Sequence, residues 1–292
     1  MKYSGTKVFG IRTPIIKKGD DLANIVVDSL SKAVEEFAIP LEDKDVVCVT
    51  EAVLGISQGN YAKLTDIACD VHNKFGEDTV GLIFPIMSRN RLSQLLRAIS
   101  KGVKKLIIQL SFPSDEVGNH LISEEALIES GINPYTDTLS KEEFRKHFPS
   151  TVHQFTGVDY IEFYQSICEC PVEIIFSNNP TAILAYTKSV IVGSIHRRHI
   201  DKKLVKKAGG EKVYGLDDIL TSPVNGSGYN DKYGILGSNY TNDDSVKLFP
   251  IHAQEFAEKV QAMLIAKYGK QVEVMVYGDG AFKDPRGQIW EL

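Results

Sequence analysis

Residues 79–112 read TVGLIFPIMSRNRLSQLLRAISKGVKKLIIQLSF, and this stretch decides the fold class. It begins and ends in apolar runs, 79–86 and 106–112, which have the length of buried strands. Between them, residues 91–100 keep the spacing of an amphipathic helix. Gly102 stands just past its end, where a left-handed cap residue belongs. Strand, helix and strand in so short a span predict a sheet covered by helices.

The alternation continues outward. Residues 21–37 read as an amphipathic helix through Leu22, Ile25, Val26, Leu30, Ala33 and Phe37, with Asp20 as its N-cap, and 46–50 reads as a buried strand. Further strands are expected at 172–176, 190–195, 233–236, 246–249 and 272–277. Further helices are expected at 159–167, 181–186, 201–208 and 253–268, the last closed by Gly269. Interleaved strands and helices give a mixed α/β (α+β) class over one domain, residues 1–292. Residues 111–156 break the rhythm. They are polar, turn-rich and punctuated by Pro113, Pro134 and Pro149, and read as an insertion or lid-like subdomain.

Composition narrows the classes. A chain of 292 residues can bury a real core, and 43% hydrophobic with 24% charged residues are globular values. A net charge of -5 argues against a surface that binds nucleic acid nonspecifically. The opening MKYSGTKVFGIRTPIIKKGDD has no apolar core of signal-peptide length, and no run reaches the roughly eighteen apolar residues of a membrane helix. Cys48, Cys69, Cys168 and Cys170 form no metal array, and Cys48, inside an apolar run, reads as a buried free thiol. Scattered cysteines fit a reducing setting, so a cytoplasmic location is expected.

Four stretches carry candidate chemistry. In VEVMVYGDGAFKDPRGQIWEL, residues 272–292, a strand leads into Gly278-Asp279-Gly280 and projects one carboxylate on a backbone free to bend. Asp279 suits Mg2+ or Mn2+, which share carboxylate oxygens with phosphates, while Lys283 and Arg286 suit the phosphate itself. Asp-Gly and Asp-Pro are equally turn formers. In SPVNGSGYNDKYGILGSNYTNDD, residues 222–244, backbone amides and Asn side chains can cradle a nucleotide, although Asn-Gly also marks a hairpin.

In SIHRRHIDKKLVKKAGGEK, residues 194–212, His196 and Arg197 stand at a strand-to-helix junction. They suit an anionic group better than Lys202, Lys203, Lys206 and Lys207, which read equally as a solvated helix face. Finally, Ser88, Arg89, Asn90 and Arg91 leave one strand, and Ser114, Asp115, Glu116, Asn119 and His120 leave another. Open sheets hold ligands at such carboxyl ends. Asp115 with His120 suits metal or acid–base work, whereas helix capping explains Ser88 and Ser114.

Three stretches together resemble the γ-glutamyl ligase family that builds the glutamate tail of coenzyme F420. VFGIRTPIIKKGDDLANIV is similar to its opening, in which GDDLA leads into the first helix. DVVCVTEAVLGISQGN is similar to its second block, a strand and then a small-residue, acidic turn. LGSNYTNDDSVKLFP, a long helix and VEVMVYGDGAFKDPRGQ are similar to its third. The resemblance implies a two-lobed mixed α/β fold, a homodimer, GTP (or ATP), and Mg2+ or Mn2+. It also implies activation of a carboxylate as an acyl phosphate and amide formation with glutamate.

Carried over residue by residue, Asp279 is a metal ligand, Ser238 and Asn239 contact nucleotide, and Pro14, Ile15, Ile16 and Lys17 lie along it. Gly278 and Gly280 permit its close approach. Departures are visible: the family's nucleotide-contacting Lys is Ile56 here, and the Asp before Ser-Asn is lost in Ile235-Leu236-Gly237. Asp243 or Asp231 is left to replace that carboxylate. The Thr after the second Asp is Gly280, and the family continues past this loop, which implies a longer chain.

The expected activity is therefore ligation of an amino acid to an anionic small molecule, dependent on nucleotide and metal. His196, Arg197 and Arg286 are its catalytic candidates, and Asp279 and Asp243 its metal ligands. No nucleic-acid or membrane partner is expected. A non-catalytic nucleotide-binding relative is the first alternative. A metal-dependent hydrolase using Asp279, Asp115 and His120 is the second.

Overall fold

A computed structural model describes residues 5–38, 40–89, 91–153, 157–242, 244–278, 282–283 and 290–291. The first elements are α1 (Leu22–Phe37), β1 (Val46–Thr50), α2 (Glu51–Gln58), β2 (Tyr61–Lys63) and α3 (Leu64–Phe75). Next come β3 (Thr79–Ile83), α4 (Leu92–Lys101), β4 (Lys105–Leu110), α5 (Glu124–Ser130), β5 (Leu139–Ser140), α6 (Lys141–His147) and α7 (Tyr160–Ile167). The chain continues through β6 (Val172–Phe176), β7 (Ser189–Val192), α8 (Arg198–Lys207), β8 (Lys212–Gly215), β9 (Asn239–Asn242) and β10 (Ser245–Lys247). It closes with α9 (Ala253–Tyr268), β11 (Glu273–Tyr277), β12 (Phe282–Lys283) and β13 (Trp290–Glu291). The mixed α/β class is as expected.

The described residues fall into two compact units, Met1–Asn60 with Pro250–Gly278, and Tyr61–Phe249 with Asp279–Leu292. In the first, β1 and β11 pair in parallel, Cys48 opposite Met275. Alternation sends Val47, Val49, Val274 and Val276 toward Val26, Val260 and Leu264 of α1 and α9, which form the core. The other face stays open, with Val46 55%, Met275 45% and Tyr277 51% exposed. Cys48 lies on that open face and is exposed, which corrects the expectation of a buried thiol. An apolar run does not bury both faces of a strand when helices cover only one.

Two more details of this unit differ from expectation. The N-cap of α1 is Asp21, which accepts from Asn24 N at 3.3 Å, while Asp20 accepts from Lys17 N at 2.7 Å and closes the preceding turn. The acidic, small-residue turn after β1 is instead α2, capped by Thr50 and ended by Gly59 at φ 63.

The second unit is built on a sheet in the order β5-β6-β4-β3-β7-β8, parallel except for β5. Its central strands are buried on both faces, so their sequences are continuous apolar runs. Val80, Leu82, Leu106, Ile108 and Ile191 turn one way, toward a core shared with Phe75, Leu96 and Tyr164. Ile83, Ile107, Val190 and Val192 turn the other way, toward Ile183 and Val205 of α8. Gly81 belongs to this second face, where a Cβ would lie 2.3 Å from Ile183 Cγ1. Smaller sheets, β2-β10-β9 and β12-β13, also belong to this unit.

Residues 111–156 hold α5, β5 and α6, with Phe144 stacked on Phe176 at 3.7 Å between ring centres. Residues 233–236, expected as a strand, form tight turns instead. Gly234 takes φ 52 and donates to Asn230 O, and Ile235 donates to Leu216 O. Its apolar residues are buried as a turn, a pattern that periodicity does not separate from a short strand. The strand at 79–86 stops at Ile83, since Phe84 takes φ 53 and Pro85 has no N–H. Gly102 is not left-handed, with φ -90; a Cβ there would lie 2.5 Å from Ala68 O.

Candidate functional site

The direction of the crossovers locates the site in the second unit. From β3 the chain runs through α4 to β4 and on to β6, toward one edge; from β7 it runs through α8 to β8, toward the other. β3 and β7 are neighbours, so their carboxyl ends flank the point where the winding reverses, and ligands of doubly wound sheets bind there. Three stretches singled out in the sequence meet at this point. Ile86, Arg91, Leu92, Gly193, Ile195 and Ser238 line one small cavity of about 30 Å3.

His196 and Arg197 sit at the exit of β7, as expected, and both are exposed. Arg197 Nη2 is 3.3 Å from Asp201 Oδ1, and Asp201, fully buried, also accepts from Ser194 Oγ at 2.8 Å. The backbone N–H groups of Ile195 and His196 both donate to the carboxylate of Glu116. Beside Glu116, Asp115 accepts from Met87 N at 2.7 Å, Val117 N at 3.0 Å and Asn119 N at 2.9 Å. Its oxygens are thus occupied in tying residues 111–119 to the exit of β3. His120 is exposed, and its backbone bridges to Ser114. Asp115 and His120 therefore form no acid–base pair.

Sequence reasoning missed Arg198, the guanidinium that turns inward. Its Nε is 3.0 Å from Asp217 Oδ2, and its Nη1 donates to Ile195 O at 2.5 Å. Lys202 Nζ, from the next turn of α8, lies 3.0 Å from Asp217 and 2.9 Å from Asp218. Burial opposes the charge on Lys202, but its bonds to Asp218 and Asp217 outweigh this and raise its pKa. Burial likewise opposes the charge on Asp218, and the Gly215 N–H with Lys202 hold its pKa below the ordinary carboxylate value. The helix begins at Arg198, three residues before the expected start. The first-turn position of Arg198 was therefore hidden.

Ser238 is buried, and Asn239, half-buried, opens β9 opposite Lys247. The Ser238 hydroxyl has no hydrogen-bond partner among the described residues, a cost of about 1–3 kcal/mol.

In the first unit, Pro14, Ile15 and Lys17 are exposed and Ile16 packs on the core. Gly19 N donates to Ser57 O at 2.8 Å and fixes the end of this segment to α2. Gly278 is packed closely by Glu51: a Cβ on Gly278 would lie 2.1 Å from Glu51 Cγ. Glu51, buried at the start of α2, is a carboxylate that the sequence did not single out.

Asp279, Gly280, Asp243 and Arg286 lie outside the described residues, and so does Asn90. Among the described residues no three His, Cys, Asp or Glu side chains gather to hold a metal ion. No described helix is long and apolar enough to cross a membrane.

The fold is that of a mixed α/β protein with a small crevice at a reversal of strand order. A family model described as F420-0:Gamma-glutamyl ligase matches residues 10–292, and the chain belongs to that family. No curated protein matches it.

Proposed function

We propose that the protein is a nucleotide- and metal-dependent γ-glutamyl ligase, joining glutamate to an anionic small molecule. The observation that carries this reading is the family match from residue 10 to residue 292, which spans every candidate stretch. In this reading the anionic substrate sits at the exit of β7, where His196 and Arg197 are exposed and meet its negative charge. Asn239 contacts the nucleotide, and Pro14, Ile15, Ile16 and Lys17, with Gly278 and Gly280, keep the nucleotide assignment that the resemblance gives.

The donors named for a cation, Asp279 and Asp243, are carboxylates, and all-oxygen donors fit Mg2+ or Mn2+ rather than a soft metal. Such an ion would supply charge neutralisation for the phosphoryl group that activates the acyl carboxylate. Arg286 adds a cation for the same purpose. The open apolar face of β1 and β11 supports a second copy of the chain as partner.

Isothermal titration with GTP and Mn2+ is expected to give saturable heat with the native protein. Asp279→Ala is expected to weaken it at least tenfold, as loss of one charged ligand should. No heat with the native chain, for either GTP or ATP, removes the reading. A second reading, a non-catalytic relative, is favoured by Ile56 and Gly237 standing where the family has Lys and Asp. It predicts the same heat with no ligated product.

A further inference from the structure

The cavity between the exits of β3 and β7 has apolar side chains around it except at Arg91 and Ser238. Ser238 is 2% exposed and its hydroxyl is unpartnered among the described residues, a standing penalty that a ligand atom would remove. The volume, about 30 Å3, holds roughly two water-sized atoms. A carboxylate's two oxygens fit that volume. Arg91 is half-buried at the start of α4, with its backbone N–H donated to Ser88 Oγ at 3.2 Å. A guanidinium fork matches a carboxylate in shape and charge. The adjoining exit of β7 already holds one carboxylate, that of Glu116, on the amides of Ile195 and His196.

We infer that this cavity is a subsite for a carboxylate of the amino-acid substrate, with Arg91 as its cation and Ser238 Oγ as its neutral donor. The identity of the ligand rests on the ligase reading; the group bound rests on the cavity alone. Glu116, whose carboxylate is held by the amides of Ile195 and His196, opposes a second negative charge nearby.

Acetate, the smallest probe carrying the group, tests the subsite directly, and L-glutamate tests the ligand. Sodium acetate is expected to raise the melting temperature of the full chain above that in sodium chloride of equal ionic strength. The rise should be absent in Arg91→Gln. Titration of L-glutamate should weaken by roughly tenfold or more in Arg91→Gln, with GTP and Mn2+ binding unchanged, and about fivefold in Ser238→Ala. Ser238→Ala removes a hydroxyl that has no partner among the described residues, so it should melt no lower than the native chain while binding glutamate less well. A purely structural serine would not separate the two readouts.

If acetate stabilises and L-glutamate does not bind, the subsite stands and the ligase reading falls. If acetate does no more than chloride, the inference is overturned. The same holds if Ser238→Ala melts lower with unchanged glutamate affinity.

Discussion

Asp115 and Cys168 illustrate how neighbours decide what a side chain can do. Asp115 was a candidate acid or metal ligand on its residue type, but it is 6% exposed and surrounded by donors from Met87, Val117 and Asn119. Asp115→Ala leaves those backbone donors without a charged acceptor and is expected to cost about 3 kcal/mol in urea denaturation. A loss well under 1 kcal/mol would contradict the anchoring role. Burial, aided by the neighbouring Cys170, pushes the Cys168 thiol up to about 12, which leaves it inert at neutral pH. Neither outcome is visible in the sequence, because the partners of Asp115 include a residue 28 positions away.

The elements were more legible than their ends. β1, β6 and α9 lie where apolar spacing put them, since each keeps its period over its whole length. α2 and α3 were missed. α2 carries only eight residues, and α3 is preceded by Lys63, which gives no cap signal. Gly102 was noticed for the wrong reason: its space, not its dihedral, requires glycine. Gly102→Ala drives a Cβ toward the Ala68 carbonyl, a backbone atom that cannot swing aside, and is expected to destabilise by about 1–3 kcal/mol. A thermal melt unchanged from the native chain would contradict this.

The clamp between α8 and residues Asp217 and Asp218 depends on pH, with a definite sign. Asp218 has a lowered pKa, so its contribution is full above the ordinary carboxylate value and lost as pH falls through its folded value. Lys202 has a raised pKa, so its contribution is full below the ordinary lysine value and lost only as pH rises through its folded value. The melting-temperature gap between the native chain and Asp218→Asn should therefore be largest near neutrality and close in acid. A gap that widens in acid would reverse the assignment.

At the scale of the whole molecule, the fold class was legible because alternating strands and helices leave few alternatives. The site was legible in part. The exits of β3 and β7 and the glycine-rich stretch before β9 were each marked by composition, yet only the sheet order brings them to one cavity. Strand order rests on pairings such as Leu82 with Ile191, which no local pattern records. The central claim is the activity. It is tested most directly by incubating the native chain with labelled L-glutamate, GTP, Mn2+ and an anionic acceptor, then weighing the acceptor by mass spectrometry. The account predicts an acceptor heavier by one glutamyl residue, formed only with nucleotide and absent in Asp279→Ala. Saturable nucleotide binding with no mass gain on the acceptor would contradict it.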